Sequence, residues 1–207
     1  MRDAFKLCGE IRCPWIDADS LKEKFLRRSS EFHPDRFHGM PAAEKEAATA
    51  EYADLNAAFA LLREPRDRLA HLLQLERGTP PRDIQRIPPG TMDLFIEVGQ
   101  LCRDVDTHLA ASAGADSPML RLGRLRAGLE WVERLTSLQR RINAQRDVLA
   151  DEVRGLNLVW ADAPPIGAPE RAERLPLERL EEIYRVLSYA MRWTGQIQER
   201  LTRLAEL

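Results

Sequence analysis

Apolar residues recur at intervals of three and four along most of the chain, the period of an α-helix that buries one face. Asp3 to Gly9 predicts a short first helix, and Pro14 to Asp19 the connection out of it. In the next helix Leu21, Phe25 and Phe32 fall near one face while Lys24, Arg27, Arg28 and Glu31 point outward, with Asp19 or Ser20 as its cap. That helix ends near Phe32, because Pro34 lacks an amide proton and disfavours helical geometry at the residue before it. A third helix runs from near Pro41 to Leu62 on Tyr52, Leu55, Phe59 and Leu62. Pro65 opens a short fourth, Arg66 to Leu75, which packs through Leu69, Leu72 and Leu73 and which Gly78 can close.

Four prolines between Thr79 and Gly90 break the pattern and predict a linker over residues 79–90. Beyond it Leu94, Val98, Leu101, Val105 and Leu109 form a new stripe of helical period, and Ala110 to Ser117 reads as a turn. A long helix follows from about Pro118 to Leu156. Pro164, Pro165, Gly167 and Pro169 then interrupt the pattern, and a last helix covers about Pro176 to Ala205. Three amphipathic helices shield their stripes only by packing together, and a middle helix of about 55 Å gives an elongated bundle. The expected fold is all-α: a four-helix domain over residues 1–78, the proline-rich linker, and an elongated three-helix bundle over residues 91–207.

Composition agrees, since β-branched residues are scarce while Leu, Ala, Arg and Glu dominate. Charge narrows the function. The chain has 13 basic and 14 acidic residues before Gly78 and 18 and 19 after it, so neither part has the positive excess of a nucleic-acid binder. The arginines at 121, 124, 126, 134, 140 and 141 are interleaved with Glu130 and Glu133, as on a solvated helix face. Cys8, Cys13 and Cys102 have no dense histidine set to complete a metal cluster, and three unpaired thiols fit a reducing compartment. No apolar run is long enough to span a membrane and no targeting pattern opens the chain, which makes the cytoplasm the expected location.

The run Phe32-His33-Pro34-Asp35-Arg36-Phe37 lies between two helices expected to pack as a hairpin. Pro34 fixes its backbone torsion, and Asp35 is short enough to accept hydrogen bonds from nearby amides. A stiff loop that presents a carboxylate beside a basic helix suits docking to another protein, because little ordering entropy is left to lose. Lys24, Arg27, Arg28 and Arg36 would steer that encounter. The same residues, taken on spacing alone, also suit an ordinary surface loop. No nucleophile, base and orienting group assemble into a catalytic set.

The first 78 residues resemble a J domain: a short helix, a basic helix, the His33-Pro34-Asp35 loop, a long helix and a short fourth. The resemblance implies that this tripeptide, with Lys24, Arg27, Arg28 and Arg36, contacts an Hsp70-type chaperone and accelerates its ATP hydrolysis. Arg36 stands where the family often has lysine, which keeps the charge and changes the geometry. Phe5-Lys6-Leu7-Cys8-Gly9, the Phe32–Phe37 loop, and Leu55-Asn56-Ala57-Ala58-Phe59 through Pro65 and Arg68-Leu69-Ala70-His71-Leu72-Leu73 are similar to signatures of the HscB family. That likeness implies an adaptor with no active site, metal or cofactor of its own, which brings an IscU-like iron-sulfur scaffold to an HscA-like Hsp70.

The helix near Leu94 is where the family holds its scaffold. Leu94, Phe95, Ile96 and Glu97 resemble the start of the family's segment, and Leu101 and Asp104 continue it, whereas Gly99, Gln100, Cys102 and Arg103 depart from it. Two readings stay open. Leu94, Val98, Leu101 and Val105 can be bundle core, while Phe95, Ile96 and Cys102, off the stripe's centre, can form an exposed apolar patch beside Glu97. A different client, or a helical interaction module with a degenerate J domain, are the competing functions.

Overall fold

A computed structural model describes residues 2–37, 39–81, 87–88, 90–112 and 118–206. Every regular element among them is helical. The all-α expectation therefore holds. In chain order these are α1 (Ala4–Cys8), α2 (Ala18–Glu31), a 3-10 turn (Pro34–Phe37), α3 (Ala42–Arg63), α4 (Pro65–Arg77), α5 (Met92–Ser112), α6 (Pro118–Ala161), α7 (Arg171–Arg174) and α8 (Leu177–Ala205). The chain forms two compact units, one of Met1–Arg82 with Ala150–Tyr184, the other of Asp83–Leu149 with Arg185–Leu207.

Local chemistry sets the ends of the first helices. Asp3 caps α1 by accepting from the Phe5 and Lys6 amides, and Gly9, at φ 72°, closes it in the left-handed conformation. Asp17, rather than Asp19 or Ser20, caps α2, because its extended backbone aims the carboxylate at the Ser20 amide. In the first unit α3 packs against α1, α2 and α4, over a core that includes Phe5, Leu21, Leu55, Leu62, Leu69, Leu72 and Leu73. Phe25 on α2 stacks on Phe59 of α3 with ring centroids 4.2 Å apart. Buried Arg68 donates to the carbonyls of Pro14 and Leu62, which satisfies two backbone groups and its own guanidinium together.

The last part of α6 and the segment that follows belong to this same unit. The Asn157 carboxamide accepts from the Trp15 amide at 2.9 Å and donates to the Trp15 carbonyl at 2.8 Å, while Arg154 lies over the Trp15 ring. The proline-rich interruption is held down by Arg171, whose guanidinium meets both carboxylate oxygens of Glu76 on α4 at 2.8 and 3.0 Å. Arg77 and Glu181 make a further ion pair between α4 and α8.

In the second unit α5, α6 and α8 enclose Val98, Leu101, Cys102, Val105, Leu135, Leu138, Ile142, Trp193 and Ile197. Helix α5 continues through Ser112, three residues into the stretch expected as a turn; residues 113–117 lie outside those described. Thr91 opens α5 by donating its hydroxyl to the Pro88 carbonyl at 2.7 Å, so the end of the linker forms part of the helix start. Asp106 on α5 takes Arg200 and Arg203 of α8 at 2.7 and 3.1 Å.

Candidate functional site

The loop after α2 is fixed by its own backbone. Phe32 ends the helix at φ −106°, the Arg36 amide donates to the His33 carbonyl at 3.0 Å, and the Met40 amide donates to the Phe37 carbonyl at 3.0 Å. Arg36 turns back so that its guanidinium donates to the Ser30 carbonyl at 3.1 Å, capping one of the carbonyls that the last turn of α2 leaves open. The exposed His33 ring stands edge-on to Tyr52 of α3, 5.8 Å between centroids. Pro34 and Asp35 lie in the 3-10 turn that packs against α3; their side chains lie outside the described set. The tripeptide thus sits at the end of the α2–α3 hairpin, on a turn braced from both sides.

The four cations expected beside it divide into two pairs. Arg27 and Arg36 are exposed. Lys24 and Arg28, one turn apart, lean on the end of α1: the Lys24 ammonium meets Glu10 at 2.9 Å and Arg28 donates to the Lys6 carbonyl at 3.3 Å. Lys22 and Leu26, which sequence reasoning passed over, share the outward face with Arg27, and Leu26 is 55% exposed. A count of charges along α2 could not separate these residues, because the division depends on where α1 packs.

Helix α5 divides its expected contacts in the same way. Leu101 is buried core and Leu94 packs against that core. Phe95 and Ile96 are 42% and 58% exposed, and Met92, three residues before Phe95, joins them. Cys102 is buried, which corrects its place in an exposed patch: it follows Val98 by one turn, and burial pushes its thiol pKa up. Glu97 does not stand beside Phe95. At about 100° per residue the two project to opposite flanks of the helix, and both Glu97 oxygens are taken by Arg141 of α6 at 2.6 and 2.7 Å. Glu97 and Asp104 instead line a cleft of about 370 Å³ between α5 and α6, with Leu101, Arg134, Ser137 and Arg141.

Among the described residues no group of three or more His, Cys, Asp or Glu side chains could hold a metal ion, and no helix is long and apolar enough to cross a membrane. The three thiols are free. Burial is the main cause that pushes Cys8 and Cys13 up to about 11, which keeps them protonated and weakly nucleophilic near neutrality.

No family model matches the chain. Curated relatives do. It is 38% identical over 82 residues to the co-chaperone protein HscB homologue of Aeromonas hydrophila, which is 40% of this chain and 47% of that protein. It is 33% identical over 104 residues to the mitochondrial J-type co-chaperone jac1 of Schizosaccharomyces pombe, 50% of this chain and 41% of that one. The chain therefore spans about half the length, or less, of the curated relatives it matches. The crystal structure of human co-chaperone protein HscB shares the fold over 96% of this chain and 81% of its own, with a TM-score of 0.60 at 18% identity. The His33-Pro34-Asp35 turn at the end of the α2–α3 hairpin, with a short helix before it and α4 after, has the order and placement of the J domain that the sequence resembles. The curated relatives matched over part of their length are HscB and jac1 co-chaperones, and the fold is similar to that of human HscB along nearly the whole chain.

Proposed function

We propose that the chain is a co-chaperone that accelerates ATP hydrolysis by an Hsp70-type chaperone through His33, Pro34 and Asp35, steered by the exposed cations Arg27 and Arg36. The observation that carries this reading is the braced His33-Pro34-Asp35 turn beside exposed Arg27 and Arg36. It is a regulator of another protein's ATPase, with no chemistry or cofactor of its own. Its client is an IscU-like iron-sulfur scaffold, held on α5, where Met92, Phe95 and Ile96 offer exposed apolar surface and Glu97 and Asp104 lie in a cleft of mixed charge with Arg134 and Arg141. Hydrolysis then locks the chaperone on the scaffold for cluster transfer. The site of action is the cytoplasm, where three free thiols persist.

The test is single-turnover ATP hydrolysis by an HscA-like Hsp70, with and without an IscU-like scaffold. The intact chain should raise the rate at least about tenfold, about 1.4 kcal/mol off the barrier, and Asp35→Asn should remove the effect. An intact chain that leaves hydrolysis unchanged would reject the J-protein reading. The ion pair that occupies Glu97 and the departures at Gly99, Gln100, Cys102 and Arg103 favour one alternative, a J protein with another client. Hydrolysis stimulated without any change in cluster transfer would select it.

A further inference from the structure

The pairing of Lys24 has a functional sense of its own. Glu10 follows the left-handed Gly9 that ends α1, and its amide is tied to the Phe5 carbonyl at 2.8 Å, so its position is fixed by the α1 cap. Its side chain is only 10% exposed, one oxygen meets the Lys24 ammonium at 2.9 Å, and the other is buried without a hydrogen-bond partner. A carboxylate so enclosed is screened little by solvent, so its field reaches the neighbouring ammonium with little loss. Beyond a few ångströms the two charges of such a pair cancel.

We infer that Glu10 sets the charge of the docking face: by holding the Lys24 ammonium against the end of α1 it removes one positive charge from the surface that α2 offers an acidic partner. This rests on the co-chaperone reading. The positive charges a chaperone meets on α2 and its loop are then those of Lys22, Arg27, Arg36 and Arg28, which keeps its charge while donating to the Lys6 carbonyl. Glu10 is a positioning residue that acts through Lys24 and touches no partner.

The experiment titrates the full-length chain against an Hsp70-type chaperone and reads the half-stimulating concentration and the maximal rate at low and high salt. Glu10→Gln frees one positive charge, so half-stimulation should fall to about one third at low salt, converge with wild type at high salt, and reach the same maximal rate. Lys24→Gln leaves Glu10 unbalanced and should weaken half-stimulation. The double variant carries the same net charge at this place as wild type and should match it. Far-UV circular dichroism of each variant establishes that the helices are kept, and the double variant, which buries no unpaired charge, tests the idea even where Glu10→Gln folds poorly. A double variant as weak as Lys24→Gln, which is what direct contact by Lys24 requires, overturns the inference and leaves the co-chaperone function standing. A wild-type chain that stimulates nothing overturns both.

Discussion

His71 shows how one side chain ties the first unit to pH. It is 3% exposed, stacks near Phe5, and accepts the Ala4 amide on Nε2 at 3.0 Å. The proton of the neutral ring must then sit on Nδ1, which is buried without a hydrogen-bond partner. Protonation would put a second N–H against the Ala4 amide in a buried place. Burial holds the pKa below its ordinary 6.5; nearby Asp3 opposes that and Arg12 reinforces it. The unfolded chain therefore takes up the proton first. The stabilisation is full above pH 6.5 and is lost as pH falls from there toward the folded-state pKa. Urea midpoints measured between pH 8 and pH 5 should fall on the acid side, and His71→Gln should flatten that limb; an unchanged limb would show that other groups cause it. None of this is legible in the sequence, where His71 is a histidine on an amphipathic helix. The tripeptide was legible, because its order and its place between two helices are local. The state of Lys24 and Cys102 was not, since each depends on which neighbouring surface covers it.

At the scale of elements, periodicity placed the helices to within a few residues, because a buried stripe must repeat with the turn of the helix. It read the stretch with Pro164, Pro165 and Pro169 only as an interruption, for a loop held by ion pairs leaves no period to read. The structure gives that stretch an anchor. Arg171 and Glu76 have side chains 9% and 3% exposed and meet in a two-pronged contact, and Arg171 also donates to the Pro164 carbonyl. Removing one partner leaves the other buried and uncompensated, a loss of about 3 to 5 kcal/mol, whereas replacing both with apolar residues of similar volume is often neutral. Arg171→Met should therefore lower the denaturation midpoint strongly, and the Arg171→Met, Glu76→Met pair should recover most of it. Equal losses in the single and double variants would mean that the ion pair itself, rather than the orphaned carboxylate, stabilises the segment.

For the whole molecule, a stripe reveals that a face is buried and leaves open what buries it. Reading α5, α6 and α8 as one bundle is the simplest use of three amphipathic helices, and Val98, Leu135, Ile142, Trp193 and Ile197 do enclose a common core. Yet Ala150–Tyr184 belongs to the compact unit of the first 82 residues, with Trp160, Leu180 and Ile183 buried there. A cut at the proline-rich linker consequently separates the two chain segments of that compact unit. A fragment of residues 91–207 keeps every residue named in the α5–α6–α8 core and loses the Trp15 bonds to Asn157 and the partners of Arg171 and Glu181. Hydrogen exchange on that fragment should show amides of α5 and residues 135–142 still protected, while 150–184 exchange far faster than in the intact chain, because their buried apolar groups have lost their cover. Matching fragments 1–82 should unfold at a lower temperature than the intact chain for the same reason. Full protection of 150–184 in the fragment would place that segment with the bundle instead. The consequence for function is practical: a scaffold-binding defect seen with residues 91–207 alone can arise from a segment stripped of its partners, so binding has to be measured on the intact chain.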